Sequence, residues 1–333
     1  MRSFEPSALL TAWTPSPFGL SLVAVAAGWY IRQVARARRD GIAWAWWRVA
    51  LYLVLGVGTL AYAVCGPLAT YRSQVFWIGA LQVGSLASLV PVGLALGDPI
   101  TLLRRLQTDR QHPIIRLLET PVARVLMFPA VSTVLAVGTL LLVFFTPVFV
   151  ASTRSRAVEA LLDVLLVGTG LLFVLPLMVD ELLPAWATPG VRTLLAFADG
   201  LLDAVPGILL MTAGTVVARG YPGFSGHPGS PDPLLDTHLG GGALLAVAES
   251  VGLPIIGAVF VEWVRTDDRE ARALDALLDA SLGTGQPSGA RPETGSAVAI
   301  EAVEPGGEGH EGASGLWWET DPRFAGRFRR PHG

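Results

Sequence analysis

Apolar residues run along this chain in long blocks, not in the alternating or short amphipathic patterns of a soluble core. A helix needs about 20 apolar residues to cross a bilayer. Blocks near that length predict about seven spans, at 18–31, 49–68, 75–96, 125–150, 158–179, 194–217 and 243–263. The first block is short and extends to Ala35 if Arg32 snorkels. The fold expected is an all-α polytopic membrane bundle.

The polar positions between the blocks set an orientation. Arg32, Arg36, Arg38, Arg39 and Arg48 follow the first block, Arg104, Arg105, Arg110 and Arg116 the third, and Arg265, Arg269 and Arg272 the last. The alternate connections carry only Arg72, the pair Arg154 and Arg156, and Arg219. The positive-inside rule then puts the N-terminus outside and the C-terminus in the cytoplasm. Trp44, Trp46, Trp47 and Trp263 flank block ends, as an interfacial aromatic belt would. In the third connection, Leu102, Leu103 and Leu106 share a helical face beside arginines, which predicts a short helix lying on headgroups.

Four regions follow: an outer segment at 1–17, the membrane domain at 18–263, a cytoplasmic helix extension at 264–282, and a Gly/Pro/Glu/Ser-rich disordered tail at 283–333. Residues 1–17 lack the basic start and cleavage pattern of a signal peptide, so the first block is expected to stay as an anchor.

Composition agrees. Hydrophobic residues make up 52% of the 333 and charged residues only 15%, too apolar for an ordinary soluble domain. A net charge of −3 and the lack of a basic stripe argue against a nucleic-acid partner. One cysteine, Cys65, excludes an intrachain disulfide and a thiolate pair for metal transfer. No His-Glu-x-x-His or Gly-x-Ser-x-Gly site occurs, so an enzyme is not expected.

The candidate chemistry is acidic. No histidine falls inside the seven blocks, whereas Glu159, Asp163, Asp199, Asp203 and Glu249 do. A charge at mid-bilayer costs roughly 2.5–3.5 kcal/mol on insertion scales, so such groups face a bundle interior, a cavity or a partner. Glu159 and Asp163 are four apart and share a helix face, and Asp199 and Asp203 repeat the spacing. With Glu249 and His238 they suggest an outward-facing pocket for a metal or other cation, with Arg154 or Arg156 neutralising Glu159. A plain structural role for the acids and a transporter using the same pocket are the competing readings. No pair of broken spans is evident to support a transporter.

Several stretches resemble the CtaG-type cytochrome c oxidase assembly factors. They are Asp236-Thr237-His238-Leu239-Gly240-Gly241 before the last block, the charged exit from Trp263 to Arg272, Leu96-Gly97-Asp98-Pro99 after the third block, and Phe145-Thr146-Pro147. The resemblance covers roughly residues 18 to 275. It implies a multi-pass protein of the bacterial plasma membrane that acts as a chaperone on haem-copper oxidase subunits and handles copper through histidines in its spans. Those positions are altered here. Gly79 and Val83 stand where the family has two histidines around Gln82, Glu159 and Asp163 replace a second pair, and Asp203 replaces another. Copper favours thiolate, thioether and imidazole, whereas carboxylates suit harder cations. The copper function is therefore expected to be degenerate, with Glu159, Asp163, Asp203, Glu249 and His238 as the remaining candidate metal ligands.

Overall fold

The computed structural model describes residues 11–106, 113–178, 189–225 and 232–283. The chain divides into two compact units, Met1–Leu277 and Leu278–Gly333, and the helical bundle is the first. The described regular structure is entirely helical. The tail beyond Gly283 and His112 lie outside the described residues.

Helix α1 is Pro17–Arg39. Ser16 caps it by accepting from the Gly19 N–H at 2.9 Å, Pro17 supplies the fixed φ of a first turn, and Arg36, Arg38 and Arg39 face the negative end of its dipole. Helix α2 is Trp46–Tyr71, with a π-helical stretch at Leu51–Gly58. Helix α3 covers 76–96 and holds a second π stretch, Ser85–Leu89. The shorter α4 (Pro99–Leu106), α5 (Pro113–Leu118) and α6 (Pro121–Leu126) follow. The remaining helices are α7 (Pro129–Phe145), α8 (Val148–Arg154), α9 (Arg156–Met178), α10 (Pro189–Met211) and α11 (Pro233–Gly283).

Among the described residues, α1, α2, the run Phe76–Leu106 and Arg156–Pro176 are long and apolar enough to cross a membrane. A fifth span is obtained if Ala130–Phe145 and Val148–Arg154, bent by 67°, count as one. The bend falls at Thr146-Pro147 and gives one interrupted span among the described residues, not a pair. Pro147 has no N–H to continue the ladder, and helix α7 ends just before it. Among the described residues, α10 contributes a shorter apolar helix, Gly200–Met211. Large apolar side chains on four of these segments point outward, with Val25, Val54, Val134 and Leu161 each about 70% exposed, as side chains bathed in lipid would be.

The spans meet through small residues. A Cβ on Gly93 of α3 would sit 2.5 Å from the Leu55 carbonyl carbon of α2, and Gly56 lies directly opposite. Backbones that approach this closely leave no room for a methyl group. Gly93→Ala is expected to lower stability by about 1–3 kcal/mol. Thermal unfolding in detergent checks this, with Gly28→Ala as a control because open space surrounds Gly28.

At the end of the bundle where α3 meets α4, a polar lattice ties three segments. Asp98 takes a positive φ of 51°, accepts from Arg48 at 2.7 Å and caps α4 through the Thr101 N–H. The Arg48 guanidinium lies 4.9 Å from the Trp44 ring centre and 5.3 Å from that of Trp47. Tyr30 stacks on Tyr52 and donates to the Gly97 carbonyl at 2.7 Å. Trp44 is thus buried and is not part of a lipid-facing belt, whereas Trp46, Trp47 and Trp263 are exposed. Helix α4 also departs from expectation. Ile100, Leu102 and Leu103 are buried and the helix packs on α1, so its apolar face is spent inside the protein and not on headgroups.

Candidate functional site

The charged groups predicted on α9 lie at the opposite end of the bundle, where α2 ends and α8 meets α9. Tyr71 closes α2 and Arg72 follows it. The Arg72 side chain is only 4% exposed; its Nη1 donates to Glu159 Oε1 at 2.9 Å and its Nη2 to Ser152 Oγ at 2.6 Å. Arg72 therefore holds the role expected of Arg154 or Arg156. Arg154 instead donates to the Gly220 carbonyl, and Arg156 is exposed. Arg72 keeps one buried donor, Nε, without a protein partner.

Asp163 lies one turn further along α9 and is 3% exposed. Its charged neighbours are Arg72 and Glu159. Glu159 and Asp163 line a cleft of about 650 Å³ together with Arg156 and residues 14–18.

The other candidate ligands lie elsewhere. Asp203 lines a small cavity of about 40 Å³ among Ser88, Thr169 and Gly170. His238 Nε2 is bonded to the Ala213 carbonyl at 2.9 Å. Glu249 is exposed. Among the described residues, no three His, Cys, Asp or Glu side chains converge as metal ligands would.

The Gly79 position shows the same thing from the other side. A side chain there would meet Phe149 Cζ at 2.5 Å and the Arg72 carbonyl at 3.1 Å. Phe149 belongs to a cluster with Phe76, Phe144, Tyr221 and Phe224, ring centres 4.9–5.8 Å apart. Tyr221 donates to the Arg72 carbonyl at 2.7 Å, and burial pushes its hydroxyl above the usual phenol range. Aromatic rings fill the space an imidazole would need. Gln82 is buried, and its Nε2 donates to the Ala63 carbonyl at 2.8 Å. Among the described residues, the side chains around Gly79 and Gln82 do not make a copper cage.

The Asp236 motif has a role that sequence reasoning missed. Asp236, on the first turn of α11, accepts from the Phe76 N–H at 2.9 Å and the Trp77 N–H at 3.0 Å. It thus caps α3 from 160 positions away, where the local N-cap Val75 has no side chain able to do so. Burial raises the Asp236 carboxyl above its ordinary range, and the two backbone donors oppose the shift. Thr237 is fully buried, Gly240 lies against the Phe76 ring, and Gly241 against the Met211 nitrogen. The motif docks α11 onto α3 and α10. The signal was the motif's own order, an acid followed by glycines with nothing local for the acid to bind.

Residues 28–266, the body of this bundle, match the cytochrome c oxidase caa3 assembly factor family. The chain belongs to that family. In this caa3 assembly factor family member, the Asp236 to Gly241 stretch serves as a cap and a helix contact. Uncharacterized proteins of Mycobacterium bovis and Mycobacterium tuberculosis are each 29% identical over 282 residues, 82% of this chain. One of Mycobacterium leprae is 27% identical over 280 residues. The chain spans 42% of the length of these relatives. No solved structure matches.

Proposed function

We propose that this protein is a multi-pass assembly factor of the bacterial plasma membrane that supports the maturation of a haem-copper oxidase. It crosses the membrane seven times, with the N-terminus outside and the C-terminus in the cytoplasm. It works as a scaffold that holds oxidase subunits and turns over no substrate. The single observation that supports this most is that the family match covers residues 28 to 266, most of the bundle. Glu159, Asp163, Asp203, Glu249 and His238 serve structure, or binding of other groups, and not copper transfer. The aromatic filling beside Gly79 and the Arg72–Glu159 pair support that restriction.

Deleting the gene is expected to remove most of the a-type haem signal in reduced-minus-oxidised membrane spectra, and the full chain to restore it. Purified protein from copper-supplemented cells is expected to hold less than about a tenth of a copper per chain, a site with no soft ligands being weak. An unchanged haem spectrum refutes the assembly role. Stoichiometric copper that disappears in Asp163→Asn refutes the metal-free scaffold. A transporter using the cleft at Glu159 and Asp163 is the second reading, supported by that cleft of about 650 Å³. Cation flux into proteoliposomes carrying the protein alone tests it.

A further inference from the structure

We propose that the cleft beside Glu159 and Asp163 binds the zwitterionic headgroup of an ethanolamine phospholipid, its ammonium on Asp163 and its phosphate on Arg156. The inference needs only that the protein sits in a bilayer. It does not depend on the assembly role, and the two are tested apart.

The charges at the site leave one group open. Glu159 is committed to Arg72 at 2.9 Å, and that pair is neutral. Asp163 is 3% exposed, forms no hydrogen bond among the described residues, and lines the cleft. A buried carboxylate without donors is costly, and a ligand carrying N–H donors and positive charge would relieve it. Arg156 lines the same cleft and is exposed. It lies seven residues before Asp163, so the two share a helix face about 10 Å apart along the axis. One cation at the mouth and one carboxylate at the floor complement a ligand whose anion trails its ammonium.

Size and wall chemistry narrow the ligand. A volume of about 650 Å³ is far larger than a single ion and is of small-molecule size. Hard metal ions also want six or more oxygen ligands, and no three candidate ligands converge among the described residues. Pro15, Pro17, Phe18 and Val64 give the cleft apolar walls. Exposed apolar side chains flank it, Phe18 on α1 at 40% and Val164 on α9 at 50%. Acyl chains have a surface to lie on there, which a water-soluble zwitterion would not use. An ammonium with three N–H donors suits Asp163 better than the methylated ammonium of choline, which donates none.

Native mass spectrometry of the delipidated full chain in detergent, titrated with ethanolamine, choline and glycerol phospholipids of identical acyl chains, tests this. The ethanolamine lipid is expected to be retained at least fivefold over the other two. Asp163→Asn is expected to abolish that preference. Arg156→Gln, on an exposed position, is expected to weaken ethanolamine and glycerol lipids alike. Helicity and thermal unfolding of each variant report whether it is folded. If Asp163→Asn misfolds, the lipid preference of the native chain and the Arg156→Gln effect still decide. Equal retention of the three lipids, or a preference unchanged in folded Asp163→Asn, overturns the proposal. So does displacement by soluble glycerophosphoethanolamine at the same concentration as the lipid, or a stoichiometric metal ion lost on Asp163→Asn.

Discussion

Arg72→Leu is expected to destabilise the protein by about 3–5 kcal/mol, the range for breaking a buried ion pair from one side. The substitution removes the partner of Glu159 at 2.9 Å, the donor to Ser152 at 2.6 Å, and a cation beside Asp163. Two carboxylates one turn apart on α9 are then left to repel each other. Solvent moderates the loss, because the Glu159 side chain is 31% exposed, so the lower half of the range is expected. Glu159→Gln is milder, about 1 kcal/mol, since Asp163 still opposes the Arg72 charge and an amide oxygen still accepts. The double change Arg72→Leu with Glu159→Leu is expected to recover much of the loss, because a buried ion pair often costs as much to desolvate as it returns. Thermal unfolding in one detergent, applied to all three, gives the ordering. Equal stability of Arg72→Leu and the native protein would show that the pair holds nothing together.

Asp236→Ala is expected to cost about 2–4 kcal/mol. Each backbone N–H bonded to a carboxylate contributes about 1.5–3 kcal/mol, and Asp236 receives two of them, from Phe76 and Trp77. Non-additivity within one carboxylate brings the sum down. Alanine leaves both N–H groups at the start of α3 buried without a protein acceptor. Asp236→Asn is expected to lose roughly half as much, because one carbonyl oxygen remains while the amide NH2 faces the second N–H as donor against donor. Hydrogen exchange of the Phe76 and Trp77 amides separates a lost cap from general loosening. Faster exchange confined to the first turn of α3 is the expected signature, and unchanged protection there would rule the cap out.

The helices that long apolar blocks define were legible in the sequence. The expected blocks 18–31, 49–68, 75–96 and 158–179 each fall on a helix able to cross a membrane. The block at 125–150 was legible as apolar but not as bent, since hydropathy does not register the break that Pro147 imposes. The acids on α9 were visible as unusual, and their shared face held. Their partner was not visible, because Arg72 reads as one more loop arginine until α2 and α8 bring it against Glu159. Asp203 was grouped with them on helical spacing and on the family resemblance, and neither can say which cavity a helix face addresses. Asp236 failed for a related reason. A cap is normally sought within three residues, and this one acts across 160 positions. The amphipathic pattern of α4 was read correctly as a helix with one apolar face, but α1 and the membrane surface present the same chemistry to leucines, and only packing distinguishes them.

The Asp236 contact also sets an order of events during synthesis. Helix α3 leaves the ribosome with its first turn lacking its cap, and the residue that completes it is made 160 positions later. At roughly 5–20 residues per second, the gap is on the order of ten to thirty seconds. Throughout that interval the end of α3 offers unpaired N–H groups to whatever stands beside it, and a chain that stops short of α11 never withdraws them. A single carboxylate thereby marks the difference between a finished protein and a fragment that quality-control proteases can still unravel.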